Sequence, residues 1–137
     1  LKFLSQKTYL NWKYREGSLT QQSNFSPSDK PIVLLINEQS LSDAEMTAQG
    51  FKALKLGTII GNETYRWIIF TSGVGLVDGS SVRMPGWGCY SLDGKDLEMS
   101  GVQPDIKIIN SFEDKINGRD PQVDKAVDEI LKQLGKK

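Results

Sequence analysis

A serine stands between a buried-strand pattern and a helical pattern, which is where many enzymes hold a nucleophile. Ser42 follows the apolar run of residues 32–36 and precedes a helix-like stretch that begins at Asp43. In an open parallel sheet, ligands bind beyond the carboxyl ends of the strands. Ser40 and Ala44, two positions to each side, are small, as a sharp nucleophile turn requires. Ser42 is therefore a candidate nucleophile, and the N–H groups that follow it could stabilise an oxyanion at the positive end of the helix dipole.

The same residues also spell a helix-capping motif. Ser42 would be the N-cap, and Glu45, three positions later, would reach back to the Ser42 N–H as in a capping box. Serine is a preferred N-cap in proteins of every kind. On the local pattern alone, capping explains the serine, the glutamate and their spacing without any chemistry, so the nucleophile hypothesis needs support from elsewhere in the chain.

The rest of the composition supplies no complete catalytic or metal site. The chain contains no histidine and one cysteine, Cys89, so neither a serine–histidine set nor a zinc site is expected from these residues alone. The glycines do not form a phosphate-binding loop. No metal and no cofactor are therefore expected.

Length and charge narrow the class of protein. The chain has 137 residues, which suits one domain, and its 17 Lys and Arg balance 17 Asp and Glu. This balance gives no field that would favour nucleic acid or an acidic membrane surface. No apolar run approaches the length of a membrane span. Because the first residue is Leu1, in a stretch that reads like the tail of an element, we expect a fragment or a processed piece.

The elements around Ser42 indicate a βαβ unit. Period-two alternation predicts a strand at residues 8–15, and polar composition predicts a loop at residues 16–30. We expect a strand covered on both faces at residues 32–36, a helix at residues 42–56 capped by Gly57, and a buried strand at residues 58–60.

The second half of the chain reads as short strands followed by a helix. Strands are predicted at residues 66–70, 75–77, 81–84 and 106–109, with turns at residues 78–79, 93–94 and 101–105. Asp120 and Pro121 open a last helix as N-cap and first residue. Its predicted apolar stripe consists of Val123, Ala126, Val127, Ile130, Leu131 and Leu134. The predicted class is α/β.

Taken in order, these segments are similar to a known family. Residues 30–45 resemble the nucleophile segment of the tail-specific (C-terminal processing) serine proteases, especially their tricorn-like branch. The similarity continues through residues 56–64, 76–80, 90–98, 101–106 and 118–126. The resemblance implies a crotonase/Clp-protease-like core, of which residues 1–137 would be the C-terminal part of a catalytic domain. This partial domain would hold the βαβ unit, several short strands and a C-terminal helix.

The resemblance also assigns roles to individual residues. It implies that Ser42 is the nucleophile, that the Asp43 N–H is an oxyanion donor, and that Glu98 orients the general base. That base, a histidine, would precede Leu1, together with an upstream serine and a second oxyanion donor. In the processing-protease branch the base is a lysine, but Trp67 occupies the matching position here.

This chain differs from the family pattern at residues 65–69, which bears on both the base and the substrate groove. Arg66 cannot replace the missing lysine, because a guanidinium stays protonated and cannot accept a proton. Residues 65–69 replace a small, glycine-rich segment of the tricorn-like branch, so we expect a different substrate groove.

The function implied is that of a serine endopeptidase or peptidase that cleaves peptides or unfolded proteins through a Ser42 acyl-enzyme. No cofactor, nucleic acid or membrane span is expected; a homo-oligomer is an open expectation, and the bacterial periplasm is favoured over the cytoplasm. The alternative is a catalytically inactive binding or scaffolding domain of the same fold. A relative that handles acyl-CoA ranks third, because no motif in the chain supports it.

Overall fold

The structure, a computed structural model, describes residues 1–5, 11–13, 19–21 and 30–135, and for residues 11–13 and 19–21 we describe only the backbone. The elements in chain order are β1 (Asn11–Lys13), β2 (Leu19–Gln21), β3 (Val33–Ile36), α1 (Asp43–Ala53), β4 (Thr58–Gly61), β5 (Ile69–Gly75), β6 (Ser81–Gly88), β7 (Ile106–Lys107), α2 (Phe112–Ile116) and α3 (Pro121–Gln133). Within the described ranges, none of the helices is long and apolar enough to cross a membrane.

A small parallel sheet carries the Ser42 turn. Its strand order is β3-β4-β7, and both pairs are parallel. The predicted βαβ unit is therefore confirmed as β3, α1 and β4. The strands approach closely at Gly61, which has a φ of 137° and where an added Cβ would lie 1.8 Å from the Ile36 carbonyl oxygen. Only glycine fits this end of β4.

The core lies between α1 and the parallel sheet. Ala48 and Phe51, three positions apart on α1, are buried on one face of the helix and pack with Ile36, Ile59 and Val102. Burying a side chain such as Phe51 stabilises the fold by about 1.5–3 kcal/mol. Truncating Phe51 to alanine would cost about 3–5 kcal/mol, because a cavity would remain. This packing fixes α1, and hence Ser42, against the ends of the strands.

The predicted end of the first helix is wrong. The helix ends at Ala53 and its C-cap is Leu54, whereas Gly57 lies beyond it. Lys55, with a φ of 52°, makes the turn that was assigned to glycine. Gly57 is needed for a different reason, since a Cβ there would lie 1.9 Å from the Ile32 carbonyl oxygen. The prediction that the strand at residues 32–36 is covered on both faces is also wrong, because Leu35 is 39% exposed.

The middle of the chain forms one long antiparallel hairpin instead of three short strands. β5 and β6 pair from Ile69 to Gly88, with an irregularity between Phe70 and Thr71. Residues 66–68 lie outside β5, and of the predicted strand at residues 75–77 only the first residue is in a strand. The predicted turn at residues 78–79 connects the two strands, and the Asp78 carboxylate accepts hydrogen bonds from the Ser80 N–H and hydroxyl, at 3.0 and 2.6 Å.

The ends of the chain agree only partly with the sequence patterns. β1 falls in the predicted strand, but β2 falls in the predicted loop; the remainder of residues 6–29 lies outside the described residues. The predicted strand at residues 106–109 is limited to β7, and α2 was not predicted. α3 begins at Pro121 with Asp120 as its N-cap, as predicted. Its apolar stripe is largely exposed, however, because among the stripe residues only Ala126 is buried.

Candidate active site

Ser42 occupies a sharp turn with a backbone conformation that side chains other than glycine rarely adopt. Its φ of 55° and ψ of −113° match the first central position of a type II′ turn, which glycine dominates. Such a conformation costs about 1–3 kcal/mol and persists only where the surroundings enforce it. The turn places Ser42 at the start of α1 and on the lining of two adjoining cavities.

The capping prediction is confirmed for the glutamate and is looser for the serine. The Ser42 N–H donates to Glu45 Oε2 at 3.1 Å. The Ser42 hydroxyl lies near the Glu45 N–H but makes no cap hydrogen bond; the Glu45 N–H donates to the Ser42 carbonyl oxygen at 2.9 Å. The Ser42 hydroxyl is thus left available for chemistry.

The Asp43 N–H meets the first requirement of an oxyanion donor. Among the described residues no acceptor takes a hydrogen bond from it, whereas the N–H groups of Ala44 and Glu45 donate to the Leu41 and Ser42 carbonyl oxygens. The free N–H groups of a first helical turn carry the positive end of the helix dipole. An anion formed beside Ser42 would find this donor unengaged.

Glu45 is a fully buried carboxylate that organises the site. Its Oε1 accepts hydrogen bonds from the Thr64 hydroxyl at 2.7 Å and the Arg66 N–H at 2.9 Å. Its Oε2 accepts the Trp67 N–H at 3.0 Å in addition to that of Ser42. Its relative exposure is 0%. Because both oxygens accept hydrogen bonds, neither polar atom of this buried side chain is left unsatisfied.

The segment at residues 62–67 is held from several sides. The Tyr65 N–H donates to the Ser40 carbonyl oxygen at 2.9 Å. The Thr64 hydroxyl accepts the Val102 N–H at 2.8 Å while donating to Glu45. This segment, the turn before Ser42 and α1 are therefore fixed to one another.

The Arg66 side chain pairs with Glu63, whereas its backbone N–H donates to Glu45. The side-chain hydrogen bond lowers the pKa of the Glu63 carboxyl below its ordinary value and raises that of the Arg66 guanidinium. The Tyr65 and Trp67 rings stack with centroids 5.9 Å apart, and both are about half exposed. The residue at the position of the missing lysine is thus an aromatic ring beside the cavity.

Glu98 lies near Ser42, on the lining of the same cavity of about 550 Å³. The next residue, Met99, has a φ of 69° and donates its N–H to the Arg66 carbonyl oxygen at 3.1 Å. Glu98 is half-buried, and its carboxylate has no hydrogen-bond or ion-pair partner among the described residues. The backbone path from Glu45 through Arg66 to Met99 therefore holds Glu98 beside the cavity.

The hairpin of β5 and β6 forms the other side of the region that Ser42 lines. It contributes to a cavity of about 700 Å³ lined by Ser42, Asp43, Met46, Ile68, Ile69, Phe70, Thr71, Arg83, Trp87, Gly88 and Cys89. Arg83 and Thr71 line both cavities. Among the residues that the structure describes, no cluster of His, Cys, Asp and Glu could hold a metal ion.

Sequence reasoning found Ser42, Asp43 and Glu98, which line this region, but it missed two features. Glu45 was assigned only as a capping residue, and nothing local signals that three further donors converge on it. Arg83 was not singled out. Arg83 and Pro85 are two positions apart on β6, and Pro85 pairs with Thr71 on β5. A prediction of the full strands would have placed Arg83 near Thr71, but the predicted strands were too short to show this register.

Comparison with known proteins places the chain in a family. Residues 1–108 match the family model described as Peptidase family S41. The tricorn protease of Thermoplasma acidophilum is 33% identical over 122 residues, which are 88% of this chain and 11% of that protein. Tricorn protease homolog 1 of Streptomyces coelicolor is 35% identical over 100 residues, which are 71% of this chain and 9% of that protein.

A solved structure gives the same result. The crystal structure of the tricorn protease superimposes with a TM-score of 0.87 at 30% identity, covering 98% of this chain and 13% of that chain. The present chain thus spans about a tenth of the length of these relatives. The α/β fold and the tricorn-like resemblance expected from the sequence are confirmed. The chain therefore belongs to peptidase family S41, a family of serine peptidases.

Proposed function

We propose that this chain carries the nucleophile of a serine peptidase, with Ser42 forming an acyl-enzyme with peptide substrates. The observation that carries the proposal is the strained Ser42 turn, which leaves a hydroxyl without a cap hydrogen bond beside an unengaged Asp43 N–H and a cavity. A serine that served only as a cap would gain nothing from a conformation that costs free energy. Membership of a peptidase family supports the same reading.

The reaction follows from these groups. A general base takes the Ser42 proton as Oγ attacks the peptide carbonyl carbon. The carbonyl oxygen becomes an oxyanion, which accepts a hydrogen bond from the Asp43 N–H. The protonated base then gives the proton to the leaving amine, and the C–N bond breaks. Water, deprotonated by the same base, attacks the acyl carbon. The bond from this carbon to Ser42 Oγ then breaks, the base returns the proton to Oγ, and the second product leaves with a new carboxyl group.

We propose that the base comes from outside this sequence, because the 137 residues contain no histidine and Trp67 stands at the position of the processing-protease lysine. We propose that a histidine from elsewhere in the full-length protein enters the cavity that Ser42 and Glu98 share. Glu98 is then a positioning residue, whose unpartnered carboxylate orients the base. Residues 1–137 would be the C-terminal part of the catalytic domain, and its substrates would be peptides or unfolded proteins.

A second candidate is a binding domain of the same fold without catalysis. The exposed Tyr65–Trp67 stack at the position of the processing-protease lysine is the observation that favours it. In that case Ser42 would serve as the N-cap alone, and its hydroxyl would not be activated.

Covalent labelling separates the two candidates. A serine-reactive phosphonate should label the full-length protein at Ser42, located by mass spectrometry, and Ser42→Ala should abolish the label. Ser81→Ala is the matched control, because Ser81 is an exposed serine on β6 with no side-chain hydrogen bond among the described residues. No labelling of Ser42, or labelling that persists at another residue in Ser42→Ala, would overturn the proposal.

A further inference from the structure

Of the described side chains that line the two spaces beside Ser42, Arg83 is the one cation, and it is not paired with an acid. Arg83 on β6 lines both spaces that Ser42 lines. Among the described residues it forms no salt bridge, whereas Arg66 and Arg119 do. Asp43 and Glu98 line parts of the same region, yet neither is within ion-pair distance of Arg83. Its charge therefore has no compensating partner in the described part of the chain.

A neutral hydroxyl orients the Arg83 side chain. Thr71 Oγ1 accepts hydrogen bonds from Arg83 Nε at 3.0 Å and from Nη2 at 2.6 Å. The residue directly across from Arg83 is Gly73, which adds no side chain and has open space around it. The guanidinium is thus held from one side, and the N–H groups on Nη1 remain without a described partner.

The surroundings of Arg83 suit a ligand that carries both charge and apolar surface. Phe70 and Trp87 line the larger space and are 65% and 71% exposed, so an entering side chain could cover them. A guanidinium binds carboxylates through parallel N–H donors, and such charge-assisted hydrogen bonds are stronger than neutral ones. A hydroxyl anchor fixes the guanidinium without competing for its charge.

We propose that Arg83 is a specificity residue, which binds a carboxylate of the peptide close to the bond that Ser42 attacks. This inference rests on the proposed function of Ser42 and adds the substrate class: peptides with an acidic group beside the scissile bond. The carboxylate could belong to a Glu or Asp side chain or to the C-terminus of the peptide. The Arg83–Thr71 pair selects the substrate, whereas Ser42 performs the chemistry.

The test compares matched peptides on the full-length protein. The first set consists of end-blocked peptides that differ only in carrying Glu, Gln or Lys at a position flanking the cleaved bond. Because Glu and Gln have nearly the same shape, the ratio of their kcat/KM values reports the effect of the negative charge. A second pair, with a free or an amidated C-terminus, distinguishes the two sources of carboxylate. In one of these two comparisons, we expect kcat/KM to be about tenfold higher for the peptide with the carboxylate. This preference should weaken as salt is added.

Variants assign that preference to Arg83. Arg83→Gln should remove it, Arg83→Lys should retain part of it, and Arg83→Glu should turn it toward the Lys peptide. Lys132→Gln, an equal charge change on α3 at an exposed position, should leave the preference unchanged. Phosphonate titration of Ser42 counts intact sites, so each ratio refers to active molecules.

The outcomes keep the two proposals apart. Equal hydrolysis of acidic and amide peptides by the wild type, a wild-type preference for Lys, or an unchanged preference in Arg83→Gln would overturn the role of Arg83 while Ser42 remains the nucleophile. If Arg83→Gln does not fold, Thr71→Val, which keeps the charge but removes its anchor, should reduce the preference about threefold. Failure to hydrolyse any peptide, with no labelling of Ser42, would overturn the proposed function and the specificity with it.

Discussion

The cavity beside Ser42 has two walls that are built in different ways. One, the Glu45 wall, comprises residues 42–46, 64–67 and 98–99, and a buried carboxylate with four hydrogen bonds organises it. The other, the hairpin wall, comprises β5 and β6, and every residue of β6 is exposed. Hydrogen bonds to the buried Glu45 side chain fix the first wall, while cross-strand pairing shapes the second.

This difference separates two tasks. Ser42, Asp43 and Glu98, the residues proposed for chemistry, lie on the Glu45 wall, where hydrogen bonds hold the backbone in place and leave the three reactive groups unengaged. Arg83, Phe70 and Trp87, which would contact the substrate, lie on the hairpin wall, where substitutions leave few buried groups unpaired. We therefore expect changes on the first wall to lower turnover or stability, and changes on the second to alter KM and specificity.

The largest effect is expected at the nucleophile. Ser42→Ala should lower kcat of the full-length protein by about 10⁵-fold or more, because no other group can form the acyl-enzyme. Folding should be preserved, since the hydroxyl makes no cap hydrogen bond. Steady-state hydrolysis and circular dichroism check both parts. A loss of less than tenfold would show that the Glu45 wall does not hold the nucleophile.

Glu98→Gln should lower kcat by about 10²-fold or more while leaving stability nearly unchanged. The reason is that the carboxylate would orient the base but has no partner among the described residues. The pH profile of kcat should shift with it, which a purely structural role would not produce. Asp128→Asn, at an exposed position on α3, is the charge-matched control. An unchanged profile and kcat would remove Glu98 from the mechanism.

Glu45→Gln should destabilise the protein by about 2–3 kcal/mol, because an amide NH₂ would face N–H donors that now meet a carboxylate oxygen. Amide hydrogen exchange should accelerate at residues 42–46 and 64–67, and kcat should fall as the turn loosens. Glu113→Gln, on a side chain that is 80% exposed, should change neither quantity. Unaltered exchange at residues 64–67 would contradict the organising role of Glu45.

Trp87→Ala should raise KM about three- to tenfold and leave kcat almost unchanged, because apolar contact with the substrate is lost. Its effect on stability should stay within about 0.5 kcal/mol, since the ring is 71% exposed. Val77→Ala, at the fully exposed tip of the hairpin, should alter neither KM nor stability. A large loss of stability in Trp87→Ala would mean that the two walls are not distinct.

The smallest effect is expected from the ion pair of Arg66 and Glu63. The pKa of Glu63 is lowered in the folded state, so its ionised side chain stabilises the fold above the ordinary pKa of a glutamate, about 4.3. This stabilisation is lost as the pH falls below that value. Because Arg66 is more than half exposed, solvent screens the pair, and its contribution to stability is small. Urea midpoints of the wild type and Glu63→Gln should converge at low pH and differ slightly at neutral pH. A difference that grows in acid would contradict this sign.

The sequence predicted the parts of the fold that depend on local pattern. Hydrophobic runs and capping residues identified β3, α1, β4 and α3, and strand-to-helix logic placed Ser42 at the edge of the sheet. The end of α1 was missed because Lys55 adopts a positive φ that glycine was expected to take. The sequence also identified the apolar stripe of α3 but not its exposure, because amphipathic spacing cannot tell how much of a helix face a neighbouring element covers.

The candidate site could be predicted only as separate residues. Ser42 and Glu98 are 56 positions apart in the sequence, and their shared cavity depends on the Met99 N–H reaching the Arg66 carbonyl oxygen. Glu45 gathers donors from residues about twenty positions away. Such convergence is a property of the folded chain, and neither residue type nor spacing predicts it.

The strained backbone of Ser42 has a consequence for how this position evolves. Glycine would adopt its φ of 55° without the penalty that serine carries. Ser42→Gly should therefore relieve part of the strain while abolishing the nucleophile, a local trade-off between stability and activity. If a lineage of this fold lost its dependence on catalysis, drift toward glycine would be favoured here. In this chain the position holds serine, which fits the chemical role proposed for Ser42.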